Sequence, residues 1–80
     1  MKLFNGIEKK VYIIKNINLP AHISSRLEAL GMTCGTRVRI LNKNKTAVII
    51  IIRGTRFALG RAVAQKIIVG EDAPQKTEIL

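Results

Sequence analysis

Thr36-Arg-Val-Arg-Ile-Leu-Asn-Lys-Asn-Lys-Thr-Ala-Val-Ile-Ile-Ile-Ile-Arg-Gly-Thr-Arg-Phe-Ala-Leu59 is the stretch on which the fold turns. Thr36 to Asn42 alternates, with Val38 and Ile40 on one face and Arg37, Arg39 and Leu41 on the other, the period-2 signature of a strand with one buried side. Asn42 to Lys45 is a polar turn. Ala47 to Ile52 is a continuous apolar run of strand length and β-branched composition. Arg53-Gly54 then supplies a hairpin turn, with Gly54 as its structural residue, and Thr55 to Leu59 returns as another strand.

Outward from this hairpin pair the chain reads as one small domain. Val11 to Ile17 has the β-branched and aromatic content of a strand, and Lys66 to Val69 reads as the last one, after a single helical turn within Gly60 to Gln65. Between the first and second strands Pro20 suits the first turn of a helix, and Ile23, Leu27 and Leu30 recur at one-face spacing. Ser25-x-x-Glu28 offers a later start as a capping box. Gly31 is expected to end the helix with positive φ, Met32 closing onto Leu27, and Gly35 sits in the turn that follows Cys34. Five short strands and one short helix make a mainly β fold, a small, strongly bent barrel. Its core is expected to use Ile13, Ile23, Leu27, Leu30, Val38, Ile40, Ile49, Ile51, Phe57, Leu59 and Ile67. The barrel domain is expected over residues 1–70, with 71–80 a loose polar tail.

At 80 residues, 48% of them hydrophobic, the chain carries enough apolar content for a core but leaves little room for an enclosed active site. Charge is the unusual quantity: 14 Lys and Arg stand against 5 Asp and Glu, a net of +9. A surface this basic attracts polyanions, anionic membrane or an acidic protein. No apolar run approaches the ~20 residues of a membrane span, and the N-terminus lacks a secretory signal, so a cytoplasmic location is expected. A single cysteine fits a reducing compartment.

Chemistry is hard to assemble from this inventory. Metal binding needs several convergent ligands, and His22, Cys34, Glu8 and Glu28 are too few and too scattered. Nucleophile, base and orienter are not present as a set, and Gly54 to Arg61 lacks the Lys-Ser/Thr of a phosphate loop. No catalytic residue, metal site or cofactor is therefore expected. Binding remains: the candidate partner surface is Arg37, Arg39, Arg53 and Arg56, with Arg26 on the helix flank, since guanidinium groups grip carboxylates in bidentate fashion. A basic barrel that binds nucleic acid is the alternative, disfavoured by having only Phe4, Tyr12 and Phe57 as aromatic platforms.

Three segments, Arg26-Leu-Glu-Ala-Leu-Gly-Met-Thr-Cys-Gly-Thr-Arg-Val38, Gly54-Thr-Arg-Phe-Ala-Leu59 and Ala64-Gln-Lys-Ile-Ile-Val69, together strongly resemble the FeoA family over about residues 11–70. The resemblance implies an SH3-like barrel that serves as a cytoplasmic accessory or regulatory component of bacterial ferrous-iron uptake. It also implies a partner, the membrane transporter FeoB with its cytoplasmic GTP-binding domain, and no iron-carrying role for the small protein. Two departures stand out. The family's Leu-Arg-x-x-Glu-Ala is here Leu59-Gly60-Arg61-Ala62-Val63-Ala64, and the turn at Asn42 to Thr46 lacks Gly-Asp-Pro. Related barrels end some iron- and manganese-dependent repressors; a free-standing chain without a winged helix is expected to serve differently.

Overall fold

A computed structural model describes residues 1–71. Most of the expected tail, residues 72–80, lies outside them. Five strands, β1 (Val11–Ile17), β2 (Arg37–Lys43), β3 (Ala47–Ile52), β4 (Thr55–Gly60) and β5 (Ile67–Glu71), form one antiparallel sheet in the order β4-β3-β2-β1-β5. Helix α1 (Ala21–Ala29) connects β1 to β2, and the single turn α2 (Arg61–Ala64) connects β4 to β5. The family-based expectation of a bent, SH3-like barrel agrees with this arrangement. Two bulges supply the bend. The register slips between Ile14 and Asn16 where β1 meets β5, and between Ile40 and Asn42 where β2 meets β3. An extra residue on one strand of a pair raises the local twist and turns the sheet toward itself.

The turns follow from local chemistry. Arg53 (φ 53°) and Gly54 (φ 82°) both take the left-handed conformation, and Ile52 pairs directly with Thr55, which is the two-residue hairpin turn that matches strand twist. At the β2–β3 turn the Asn44 side-chain oxygen accepts from the Thr46 and Ala47 backbone N–H groups at 2.8 and 2.9 Å. Helix α1 ends in a Schellman motif. Gly31 (φ 99°) donates to Glu28 at 2.9 Å and Met32 to Leu27 at 2.9 Å, while fully buried Met32 carries the chain into the core. Pro20 stands one position earlier than expected, at the N-cap, and Ser25 lies within the helix rather than capping it.

The core is built from Leu3, Tyr12, Ile14, Leu27, Met32, Val38, Ile40, Val48, Ile50, Ile52, Leu59, Ala64, Ile67 and Val69. Six of the expected core residues need correction. In β1 the inward residues are Tyr12 and Ile14, leaving Ile13 half-buried; in β3 they are Val48, Ile50 and Ile52, leaving Ile49 and Ile51 half-buried on the outer face. Ile23 and Phe57 are only half-buried. Leu30, expected as a structural core residue, is 49% exposed, because as the helix C-cap it falls beyond the turn whose Leu27 reaches inward.

The N-terminal segment closes the β5 side of the sheet, which the sequence did not announce. Lys2 bridges to Ile68, Val69 donates to the Met1 carbonyl at 2.7 Å, and the 3-10 turn Leu3–Asn5 buries Leu3. That cover removes a row of open backbone groups from the β5 edge. Tyr12 ties the same segment down. Its ring is wholly buried and its hydroxyl accepts from the Ile7 N–H at 2.8 Å. Tyr12→Phe is expected to strand that N–H and cost about 1–3 kcal/mol, read as a fall in thermal midpoint with amide exchange accelerating first at Ile7. An unchanged midpoint would show that water satisfies the donor equally well.

Candidate protein-interaction surface

The same alternation that buries Val38 and Ile40 sends Arg37 and Arg39 outward from β2, both exposed. Strand pairing then sets their neighbours. Arg39 lies opposite Val11 on β1 and Ile51 on β3, and Ile51 lies opposite Arg56 on β4. The outer face therefore carries a transverse row Val11–Arg39–Ile51–Arg56 in which two guanidinium groups flank one isoleucine. In the next row the bulge residues Leu41 and Asn42 face Ile49, which faces Ala58.

Two depressions open on this surface. A shallow groove of about 440 Å³ is lined by Leu41, Asn42, Ile49, Arg56, Phe57 and Ala58. A cleft of about 590 Å³ is lined by Thr33, Cys34, Gly35, Thr36, Arg37 and Arg53, so it brings together one β2 arginine and the hairpin-turn arginine. Gly35 (φ 91°) turns the chain there, and the Thr33 and Thr36 hydroxyls share a hydrogen bond at 2.8 Å. Among the described residues neither lining contains a carboxylate. Of the acidic side chains in the described residues, Glu8 accepts from the Lys43 backbone N–H at 2.9 Å, Glu71 pairs with Lys10 at 3.1 Å, and Glu28 projects from α1.

The five arginines expected at the partner surface thus divide. Arg37, Arg39, Arg53 and Arg56 come from β2, β4 and the turn between β3 and β4, while Arg26 sits on α1, apart from the strand rows. Other cations have internal duties that the sequence concealed. Lys43 donates to the Phe4 and Gly6 carbonyls at 2.8 and 2.9 Å, and its ammonium and the Arg61 guanidinium lie 5.6 and 5.5 Å from the Phe4 ring centre. These contacts pin the N-terminal turn by cation–π attraction and hydrogen bonding. Val63, at the position where the family often has Glu, packs half-buried against the core instead.

Leu41 lies on the outer face with Arg37 and Arg39, as strand alternation predicts, whereas Ile49 is expected inward from sequence although a signal for the opposite phase exists. With a two-residue turn at Arg53-Gly54, an outward Arg56 requires an outward Ile51 across the hairpin, and hence an outward Ile49 two residues earlier.

Fold and surface together define a small basic SH3-like barrel whose outer sheet face carries two shallow depressions. Residues 1–71 match the model of the FeoA domain. The sequence is 33% identical over 66 residues to the protein named "Putative Fe(2+) transport protein A" in Methanocaldococcus jannaschii, covering 82% of this chain and 79% of that one. Among solved structures, the FeoA of Stenotrophomonas maltophilia in complex with zinc, described as a procaryotic SH3 domain protein, is 27% identical with a TM-score of 0.75, over 86% of this chain and 88% of its own. An iron uptake regulatory protein, also a FeoA, is 25% identical with a TM-score of 0.81, over 88% of this chain and 95% of its own. The chain belongs to the FeoA family, which is associated with ferrous-iron transport.

Proposed function

We propose that this chain is an accessory protein of ferrous-iron uptake that acts in the cytoplasm by binding the cytoplasmic portion of a FeoB-type membrane transporter. Family membership supports the iron-transport role. The observation that carries the binding mode is the transverse row in which Arg39 and Arg56 flank Ile51 on the outer sheet face, with the carboxylates of the described residues placed elsewhere. Arginine flanking an apolar floor suits an acidic protein surface, because bidentate pairs add direction to attraction and the apolar floor adds burial. On this reading the protein performs no catalysis and carries no iron of its own.

The nucleic-acid alternative gains little from the aromatic side chains. Tyr12 is buried, Phe4 is engaged by Lys43 and Arg61, and Phe57 is half-buried against the core. Stacking platforms need exposed rings. In a nuclease-treated bacterial lysate, the immobilised chain is expected to retain a large membrane GTPase. Partners that disappear on nuclease treatment, with no such GTPase retained, would favour the nucleic-acid reading instead.

A further inference from the structure

We infer that the outer face of β2, β3 and β4 receives an acidic amphipathic helix of the partner, laid along β3 with its apolar stripe on Ile49 and Ile51. The inference rests on the proposed use of this face for the transporter, and names what the transporter must present.

Width is the first argument. Arg39 and Arg56 stand on the two strands flanking β3, opposite the same residue, Ile51. Two strand spacings separate their backbones by roughly 9.6 Å. A helix with its side chains is about 10–12 Å across, so one resting on Ile51 reaches one arginine from each flank.

Backbone chemistry is the second. The groove floor consists of side chains on a sheet face, Ile49 with Leu41 on one side and Ala58 on the other. An extended segment lying there would find no ladder for its N–H and C=O groups, and burying them unpaired is costly. A helix satisfies its own backbone and needs only a complementary stripe. The small side chain of Ala58 leaves space beside Ile49, which accounts for the groove of about 440 Å³.

Charge is the third. The arginines on both sides call for carboxylates on both flanks of the apolar stripe, and among the described residues the lining has no acidic side chain to compete. Leucines at i, i+3, i+4 and i+7, bordered on each side by Glu, describe such a helix.

The test uses a synthetic peptide of about 18 residues, roughly 27 Å long as a helix, Ala-rich, with one Leu stripe bordered by Glu, and a control of the same composition in which the stripe is dispersed. Titration into the full chain, followed by amide resonances, is expected to shift Leu41, Ile49, Ile51 and Ala58 and to saturate. The dispersed control should bind at least about tenfold more weakly, as should the striped peptide to the variant I49S/I51S. Arg39→Gln with Arg56→Gln should weaken the striped peptide by a similar factor. Equal binding of both peptides would reduce the face to charge alone and overturn the inference. So would full affinity in I49S/I51S, or stronger binding to vesicles of phosphatidylglycerol than to the striped peptide. If I49S/I51S loses its dispersed spectrum, the two peptides on the unaltered chain still decide. The two proposals fail separately. A transporter that binds while the striped peptide does not removes the helix; a striped peptide that binds while the transporter does not removes the transporter.

Discussion

Ile50→Ala is expected to destabilise the domain by about 2–5 kcal/mol, whereas Ile51→Ala, one residue away in the same apolar run, is expected to cost about 1 kcal/mol or less. Ile50 is fully buried, so truncation leaves a cavity that its close-packed neighbours fill only in part. Ile51 lies half-buried between Arg39 and Arg56 on the outer face, where water can enter the space vacated. For a domain of this size each kcal/mol moves the thermal midpoint by about 4–8 °C. Ile50→Ala should therefore fall by more than about 8 °C, with Ile51→Ala falling by less than that. Equal losses at both positions would contradict the phase of β3, and with it the placement of the outer face.

Charge reversal at Arg39 and Arg56 carries the second large effect, on association rather than stability. Both side chains are exposed, so R39E/R56E should keep the fold and a midpoint close to the parent's. Facing an acidic partner, the change turns two attractions into repulsions, and affinity for the transporter's cytoplasmic portion should fall at least about 100-fold at low salt. The parent's affinity should itself decline as salt rises, while the residual binding of R39E/R56E should not. R39K/R56K should keep the charge and lose the bidentate geometry, giving an intermediate affinity. Unchanged binding by R39E/R56E at low salt would move the contact away from this face, with Arg26 on α1 the next place to look.

The elements were largely legible in the sequence because each is bounded by residues with one physical role. Gly31 ends α1 because its left-handed conformation suits the Schellman turn, and Arg53-Gly54 sets a two-residue hairpin because both positions take positive φ. The phase of two strands was less accessible. Ala47 to Ile52 has no polar residue to mark the outer side, so periodicity alone left two equivalent choices. In β1 the mark was present: Lys15 is exposed and shares a parity with Ile13, which places Tyr12 and Ile14 inside. The β1 bulge beyond Ile14 and the β2 bulge beyond Ile40 were invisible, since both depend on the partner strand's register and not on any local residue type. The same holds for Lys43. A lysine in a polar turn reads as solvated, and only the folded chain brings its ammonium to the Phe4 and Gly6 carbonyls nearly forty positions away. Of the candidate surface, the arginines were readable from alternation. Their apolar floor was not, because Ile49 and Ile51 lie in an unbroken apolar run whose phase alternation alone leaves open.

Contact between this face and the transporter can be read by titrating the purified cytoplasmic GTP-binding portion of a FeoB-type transporter into the isotopically labelled chain. The predicted result is saturable binding at low salt with resonance shifts concentrated on Arg39, Ile49, Ile51, Arg56 and Ala58, and little change around Phe4 and Arg61. Absence of any shift at about 100 μM, where even a weak, transient contact of about 5.5 kcal/mol would be half-saturated, would contradict it, as would shifts confined to α1 and the N-terminal turn.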